Sequence, residues 1–436
     1  MSGQKPREIA LHALERPPGG EFIETVLDRA LTGASLSPAD RGLCQELVYG
    51  IVRWQETIDW LVRRKTADRV QKPMLQNLLR LGLYQIFWLD RIPNHAAVHE
   101  TVELAKRNGL QAQSGFVNAV LRGYLREFEA TEQLLSDLKI KQPFLGYSHP
   151  EWLAARWQTR WGPDKAAQLM AWNNTPPKTF ARVNTLKGEA AKLLEQWREE
   201  KVEYDFVRHD WLDENLVFEL KSHPPLNRLP SFQQGLFYVQ DPSTLLAVRE
   251  LDPRPGETVL DLCAAPGGKL TYIAQLMRNE GMLVAHDTAK DRLALIEENC
   301  ARLGVKCEVR SEVSSVVLFD RVLIDAPCSN TGVLRRRVDL RWRIRAEEIE
   351  RLRTGQLGLL FQAASMLKPG GTLVYSTCSL EPEENIEVVN EFLRRQPAFK
   401  LETTRELLPF IEGVDGAYVA RMARSTASDK VGIKVL

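Results

Sequence analysis

Along the first 142 residues the apolar positions recur at helical spacing, and almost nothing alternates as a strand would. Phe22, Val26, Leu27, Ala30 and Leu31 mark one apolar stripe. Further helices are predicted over "SPADRGLCQELVYGIVRWQETIDWLVRR", "PMLQNLLRLGLYQIFWLD" and "HAAVHETVELAKRNG", the last stopped by its glycine. The texture changes at "QPFLGYSHPEW". From 143 to 240, helical stretches ("EWLAARWQTRWG", "GEAAKLLEQWREE") mix with short strand-like runs ("KTFARVNT", "LFYVQD"), which predicts a small α+β module. From 241 to 436 strand and helix patterns alternate: "ETVLDLC", "KLTYIAQLMRN", "GMLVAHD", "AKDRLALIEENCARLG", "FDRVLID", a long helix ending at "SMLKPGG", then "TLVYST". That order predicts right-handed βαβ units and a parallel sheet covered on both faces. The expected fold class is therefore multidomain: an all-α domain, a small α+β module, then an α/β domain.

Composition narrows the class without choosing a function. The chain has 436 residues, 44% hydrophobic and 26% charged, as expected of two or three globular domains. No apolar run reaches the ~18 residues of a membrane helix, and the first residues lack the apolar core of a signal peptide, so a cytoplasmic protein is expected. Six cysteines (Cys44, Cys263, Cys300, Cys307, Cys328, Cys378) form no CxxC pair, which points to reduced thiols and neither zinc nor disulfides. His95 and His99 stand four apart but lack a third ligand nearby, so no metal is expected. A net charge of +1 does not by itself call for nucleic acid. Local clusters do: "RRRVDLRWRIR" at 335–345 packs six arginines into eleven residues, and "VRRKTADRVQK" at 62–72 forms a weaker patch. In the first, Arg335, Arg336, Arg337 and Arg341 could clamp phosphates and Trp342 could stack on a base, against the alternative of a solvated charged face.

Two kinds of chemistry-bearing motif fall at strand ends, where open α/β sheets bind ligands. "DLCAAPGGK" (261–269) follows a strand and opens a helix, so its glycines allow a ligand close to the backbone. It is not the dinucleotide GxGxxG. One strand later Asp287 stands where an acid usually holds ribose hydroxyls, although a tight turn with a helix-capping Asp would read the same way. "DAPCSNTG" (325–332) and "YSTCS" (375–379) each place a lone cysteine just past a strand. One helix separates those strands, so they should be neighbours with their carboxyl ends side by side, both sulfurs facing one site.

The wording of "DLCAAPGGK", followed in order by "DRLALIEENCARLG", "FDRVLIDAPCSNTGVLRRRVDLRWR" and "SMLKPGGTLVYSTCSLEPEENIEVV", resembles the S-adenosylmethionine-dependent RNA cytosine-5 methyltransferases of the NOL1/NOP2/Sun family. The likeness covers about 240 to 436 closely, and "ADRGLCQELVYGIVRW" looks like the NusB-like domain that precedes the catalytic domain in the RsmB (Sun/Fmu) branch. The resemblance implies a NusB-like RNA-binding domain over 1–142, a substrate-side module over 143–240 and a Rossmann-like methyltransferase domain over 241–436. It implies S-adenosyl-L-methionine as cofactor, held by Cys263, Ala264, Ala265, Pro266, Gly267, Gly268, Lys269, Asp287, Arg292 and Asp325. It implies RNA, 16S ribosomal RNA first, as the partner of a monomeric enzyme. One departure stands out. Between "VKCEVRSEV" and "FDRVLID" the family carries a longer loop with an aspartate near the cofactor adenine, and here Glu312 is the candidate replacement.

The chemistry explains two thiols. Cytosine C5 is too poor a nucleophile to take a methyl group directly, so a nucleophile must first add at C6, a task suited to a thiolate. After transfer the C5 proton must leave before the C6–S bond breaks, which requires a base. By resemblance Cys378 is the nucleophile and Cys328 assists release. The Pro-Cys nucleophile of DNA cytosine methyltransferases would reverse those roles. Asp325 would face N3 and N4 of the base, with Lys269 joining its polar network. Rival readings are a non-catalytic RNA-binding or assembly factor, the same chemistry on another RNA such as tRNA, and a nicotinamide dehydrogenase, which "AAPGGK" in place of GxGxxG opposes.

Overall fold

The computed structural model describes residues 6–15, 20–313 and 317–426. The chain forms two compact units, one of 1–176 with 334–344, the other of 177–333 with 345–436.

The first unit is helical. Its helices include Ile23–Thr32, Pro38–Arg53, Gln55–Thr66, Pro73–Trp88, Asn94–Arg107, Ser114–Arg126 and Phe128–Lys141. The stripe read from Phe22 to Leu31 buries Ile23, Leu27 and Leu31. Ser37 caps the next helix by accepting from the Asp40 amide at 3.1 Å, with Pro38 in the first turn. The single long pattern expected from Ser37 to Arg64 is broken at Trp54, whose φ of −99° and ψ of 14° leave the helical region. Helices Glu151–Trp161 and Pro163–Asn173 fall in this unit as well.

The second unit holds two sheets. In the smaller, ferredoxin-like one, β1 (Thr179–Val183) pairs antiparallel with β3 (Val217–Ser222) and β4 (Phe237–Val239), and β2 (Glu203–Phe206) lies outside β3. The larger sheet contains β5 (Thr258–Asp261), β6 (Met282–His286), β7 (Glu308–Arg310), β8 (Phe319–Asp325), β9 (Leu367–Thr377), β10 (Phe399–Leu407) and β11 (Ala417–Arg424). Their order is β10-β11-β9-β8-β5-β6-β7. The five from β9 to β7 run parallel, as the strand and helix alternation predicts. The antiparallel hairpin β10–β11 along β9 was not expected.

Central strands are apolar on both sides because both faces are covered. Val259, Leu323 and Val374 pack in one core, with residues of the helix Gly268–Leu276. Leu260, Val322, Ile324, Leu373 and Tyr375 pack in another, with residues of Ala346–Met366 and Ile386–Arg395. The chain runs β5, β6, β7 in one direction and returns at β8 beside β5. That switch point opens a crevice at the carboxyl ends of β5 and β8.

Candidate active site

The loop after β5 leads into the helix Gly268–Leu276 through Gly267, whose φ of +103° favours glycine. The Ala265–Pro266 peptide is cis. A cleft of about 190 Å³ opens here, lined by Asp261, Cys263 to Pro266, Gly268, Lys269 and Asp325, with Tyr238, Val239 and Gln240 from the smaller sheet's end of the chain. Asp287 is buried after β6, where its carboxylate accepts from the Ala265 amide at 3.3 Å. Arg292 lies 3.4 Å from Asp287 and donates to the Ala265 carbonyl at 3.1 Å. Glycine loop, acid and arginine are thus one cluster. Glu312 is exposed after β7 and lies next to residues outside those described.

Asp261, at the end of β5, is fully buried, and among the described residues neither of its carboxylate oxygens meets a side-chain donor, only the weak influence of the Cys263 amide. Burial, and next the charge of Asp325, push its pKa up to about 8. A buried acid lining a cleft with so little to satisfy it fits a cationic ligand. Cys263 borders the same cleft, and burial pushes its thiol up to about 12, so it is an inert wall.

The register of β8 against β9 sets Asp325 opposite Ser376, so the two cysteine loops leave the sheet together. The sulfurs of Cys328 and Cys378 lie 3.4 Å apart. The Lys269 ammonium sits 2.6 Å from one oxygen of Asp325, and the Ser376 hydroxyl donates to the other at 3.1 Å. Burial opposes the lysine's charge, but Asp325 outweighs it and holds Lys269 above its ordinary value. The Cys328 thiol is pushed well up, first by its hydrogen bond with Cys378 and then by burial. Cys378 donates to the Asn330 side-chain oxygen at 3.0 Å, while the Asn330 amide donates to the Cys328 carbonyl at 2.6 Å. Asn330 adopts φ 58°, a conformation asparagine tolerates.

Beneath the two loops lies Glu384, fully buried. It accepts from the Ser329 amide at 2.8 Å, the Ser329 hydroxyl, the Ser379 hydroxyl at 2.5 Å and the Gln356 amide at 3.0 Å. Burial raises its pKa, against those hydrogen bonds. The Gly332 amide donates to the Cys378 carbonyl at 2.9 Å, and a Cβ on Gly332 would lie 2.7 Å from that oxygen. Only glycine lets the loops approach so closely. Sequence reasoning missed Asp261, Asn330, Ser376 and Glu384, although each lies inside or beside a quoted motif.

These motifs, and the domains around them, have counterparts. Residues 248–423 match the family described as 16S rRNA methyltransferase RsmB/F, 4–126 the NusB family, and 149–221 the ferredoxin-like domain of RsmF/B-like methyltransferases. The probable ribosomal RNA small subunit methyltransferase B of Bacillus subtilis (strain 168) is 36% identical over 455 residues, covering 97% of this chain and 100% of its own. The chain belongs to the RsmB/F methyltransferase family. The ribosomal RNA small subunit methyltransferase B of Klebsiella pneumoniae subsp. pneumoniae is 35% identical, covering 96% of this chain and 98% of its own. A methyltransferase homolog from Pyrococcus horikoshii superimposes with a TM-score of 0.57 at 32% identity, over 64% of this chain and 97% of that one. S-adenosylmethionine is accordingly the cofactor, and the cleft's Asp261 fits that cationic group.

The arginines expected to clamp phosphate take different places in the structure. Residues 334–344 form a strap in the helical unit. Arg341 is 0% exposed and donates to the carbonyls of Arg53, Ser148 and Asn173 and to the Asn174 side chain, at 2.8–3.3 Å. The Arg335 guanidinium is buried over the Trp172 ring, 4.2 Å from its centroid. Trp342 donates to the Val52 carbonyl at 2.8 Å. Burial among these carbonyls turns the Arg341 guanidinium inward, away from solvent. Arg336 is half-buried, whereas Arg337 is exposed, 5.9 Å from the Phe22 ring. In the patch at 62–72, Arg64, Arg69 and Lys72 are exposed. Among the described residues, no cluster of His, Cys, Asp or Glu is placed to hold a metal, and no helix is long and apolar enough to cross a membrane.

Proposed function

We propose that this protein methylates C5 of a cytosine in small-subunit (16S) ribosomal RNA through a covalent bond between Cys378 and C6 of the base. The single observation behind this reading is the pair of sulfurs, 3.4 Å apart at neighbouring strand ends and next to Asp325. The names of the Bacillus and Klebsiella relatives supply the RNA.

In this reading the Cys378 sulfur adds to C6, and the electron pair displaced into the ring makes C5 nucleophilic. Asp325, kept in place by Lys269 and Ser376, faces N3 and N4 and stabilises the charge that builds in the ring. Bound S-adenosylmethionine supplies the electrophilic methyl group and leaves as S-adenosylhomocysteine. Cys328, acting as a thiolate after giving its own proton to solvent, then receives the C5 proton, the C5–C6 double bond re-forms and the C6–S bond breaks, returning Cys378 as a thiolate. The raised pKa of Cys328 supports this division of labour, since a thiolate that holds a proton tightly is the stronger base for the one on C5. The helical domain, expected over 1–142, supplies RNA contacts and the module over 143–240 the substrate side, with the chain acting as a monomer and without a metal.

The test is bisulfite sequencing of 16S ribosomal RNA from a deletion strain. Loss of one 5-methylcytosine signal, restored by the wild-type gene and not by Cys378→Ala, is expected. An unchanged methylation pattern would overturn the proposal.

A further inference from the structure

The cleft has one wall that the family motifs do not account for. Arg182, in β1, is 1% exposed and, among the described residues, makes no ion pair with a carboxylate. Its guanidinium donates to Gln240 Oε1 at 2.5 Å, to the Gly268 carbonyl at 2.8 Å and to Thr271 Oγ1 at 2.8 Å. The rings of Tyr238 and Tyr272 lie 5.5 and 5.1 Å from it. Such a group ties the first turn of the helix Gly268–Leu276 to the neighbouring sheet.

The consequence falls on Gln240. A guanidinium has donors only, so the amide must turn its oxygen toward Arg182 and its nitrogen away. That nitrogen lies over the first helical residue, since a Cβ on Gly268 would stand 3.1 Å from Gln240 Nε2. Gln240 is 9% exposed and lines the cleft, and among the described residues its –NH2 donates to no protein acceptor. A nearly buried donor at a helix N-terminus, where backbone amides also point outward, calls for an anionic acceptor. The acid on the far side of the loop, Asp287, suits hydroxyls instead.

We propose that Gln240 donates to the carboxylate of the methionine moiety of S-adenosylmethionine, and that Arg182 is the positioning residue that fixes the amide in the donating orientation. A zwitterionic amino-acid group needs a donor and an acid side by side. Gln240 and Asp261, which share this cleft, provide them. The proposal rests on the cleft being the cofactor site.

The test uses the full chain and calorimetry with two ligands, S-adenosylhomocysteine and 5′-methylthioadenosine, which carries the nucleoside and thioether but no amino-acid group. Gln240→Glu keeps an acceptor for Arg182 while removing the donor. It should weaken S-adenosylhomocysteine about tenfold or more and change 5′-methylthioadenosine less than about twofold. Arg182→Met, which frees the amide to rotate, should shift the same selectivity ratio in the same direction. Equal losses for both ligands would make the pair a loop support only, and unchanged affinities would remove Gln240 from the site; either overturns the proposal. Wild-type protein that binds neither ligand would instead overturn the placement of the cofactor.

Discussion

Cys328 and Cys378 stand fifty residues apart in the chain, yet their sulfurs lie 3.4 Å from each other. Their proposed roles fall on opposite sides of a covalent intermediate. Cys378→Ala should therefore abolish both methylated product and any protein–RNA adduct. Cys328→Ala should still attack and transfer the methyl group but fail to release, leaving a denaturant-resistant complex on a gel. If the trapped band appears with Cys378→Ala instead, the roles are exchanged. Two structural thiols would give neither result, only a loss of about 1–3 kcal/mol in stability.

Glu384 holds the two cysteine loops to each other through Ser329 and Ser379. Glu384→Ala leaves buried donors on Ser329, Ser379 and Gln356 without an acceptor, a loss of about 3 kcal/mol or more. Thermal unfolding should show it. Because the loops carry the two sulfurs, turnover should fall further than the unfolded fraction explains. A variant with normal turnover at temperatures where it is fully folded would show that the loops hold their register unaided.

Much of this site was legible because strand ends and family phrases coincide. "FDRVLID" and "TLVYST" read as strands separated by one helix, and the neighbouring positions of β8 and β9 follow. What stayed hidden was burial of polar groups. Glu384 in "EPEEN" looks like any surface acid in sequence, and only the fold sets four donors around it. The placement of the arginine run stayed hidden for the same reason. Charge density says nothing about whether carbonyls elsewhere, such as those of Arg53, Ser148 and Asn173, already await a guanidinium. The hairpin β10–β11 was missed because "FKLETTREL", at a sheet edge, buries only its two end residues and lacks a strong alternation.

Arg341 and Arg337 should therefore behave in opposite ways. Arg341→Met leaves several buried acceptors unpaired and should lower the stability of the helical unit by about 2 kcal/mol or more, with no change in the salt slope of RNA binding at temperatures where it is folded. Arg337→Ala, at an exposed position, should leave stability within about 0.5 kcal/mol. It should reduce the salt slope by roughly 0.7–0.9, the share of one phosphate. A salt slope lowered by Arg341→Met alone would restore the buried residue to the RNA interface.

Asp261 gives cofactor binding a pH dependence whose sign can be worked out. Its pKa in the empty cleft is raised to about 8 by burial and by Asp325, against ~3.9 in an unfolded chain. The folded protein thus binds the extra proton, and the stability of the free protein falls as pH rises toward 8 through this group. A cationic ligand favours the ionised form, so at pH 7 binding should expel close to one proton. Calorimetry in two buffers of different ionisation enthalpy measures that number directly. Affinity should climb as pH rises from about 6 toward 8 and then level off, and Asp261→Asn should flatten the curve while weakening binding. Binding without proton release at pH 7 would mean that Asp261 is already charged in the free protein, and that Lys269, rather than the ligand, is its partner.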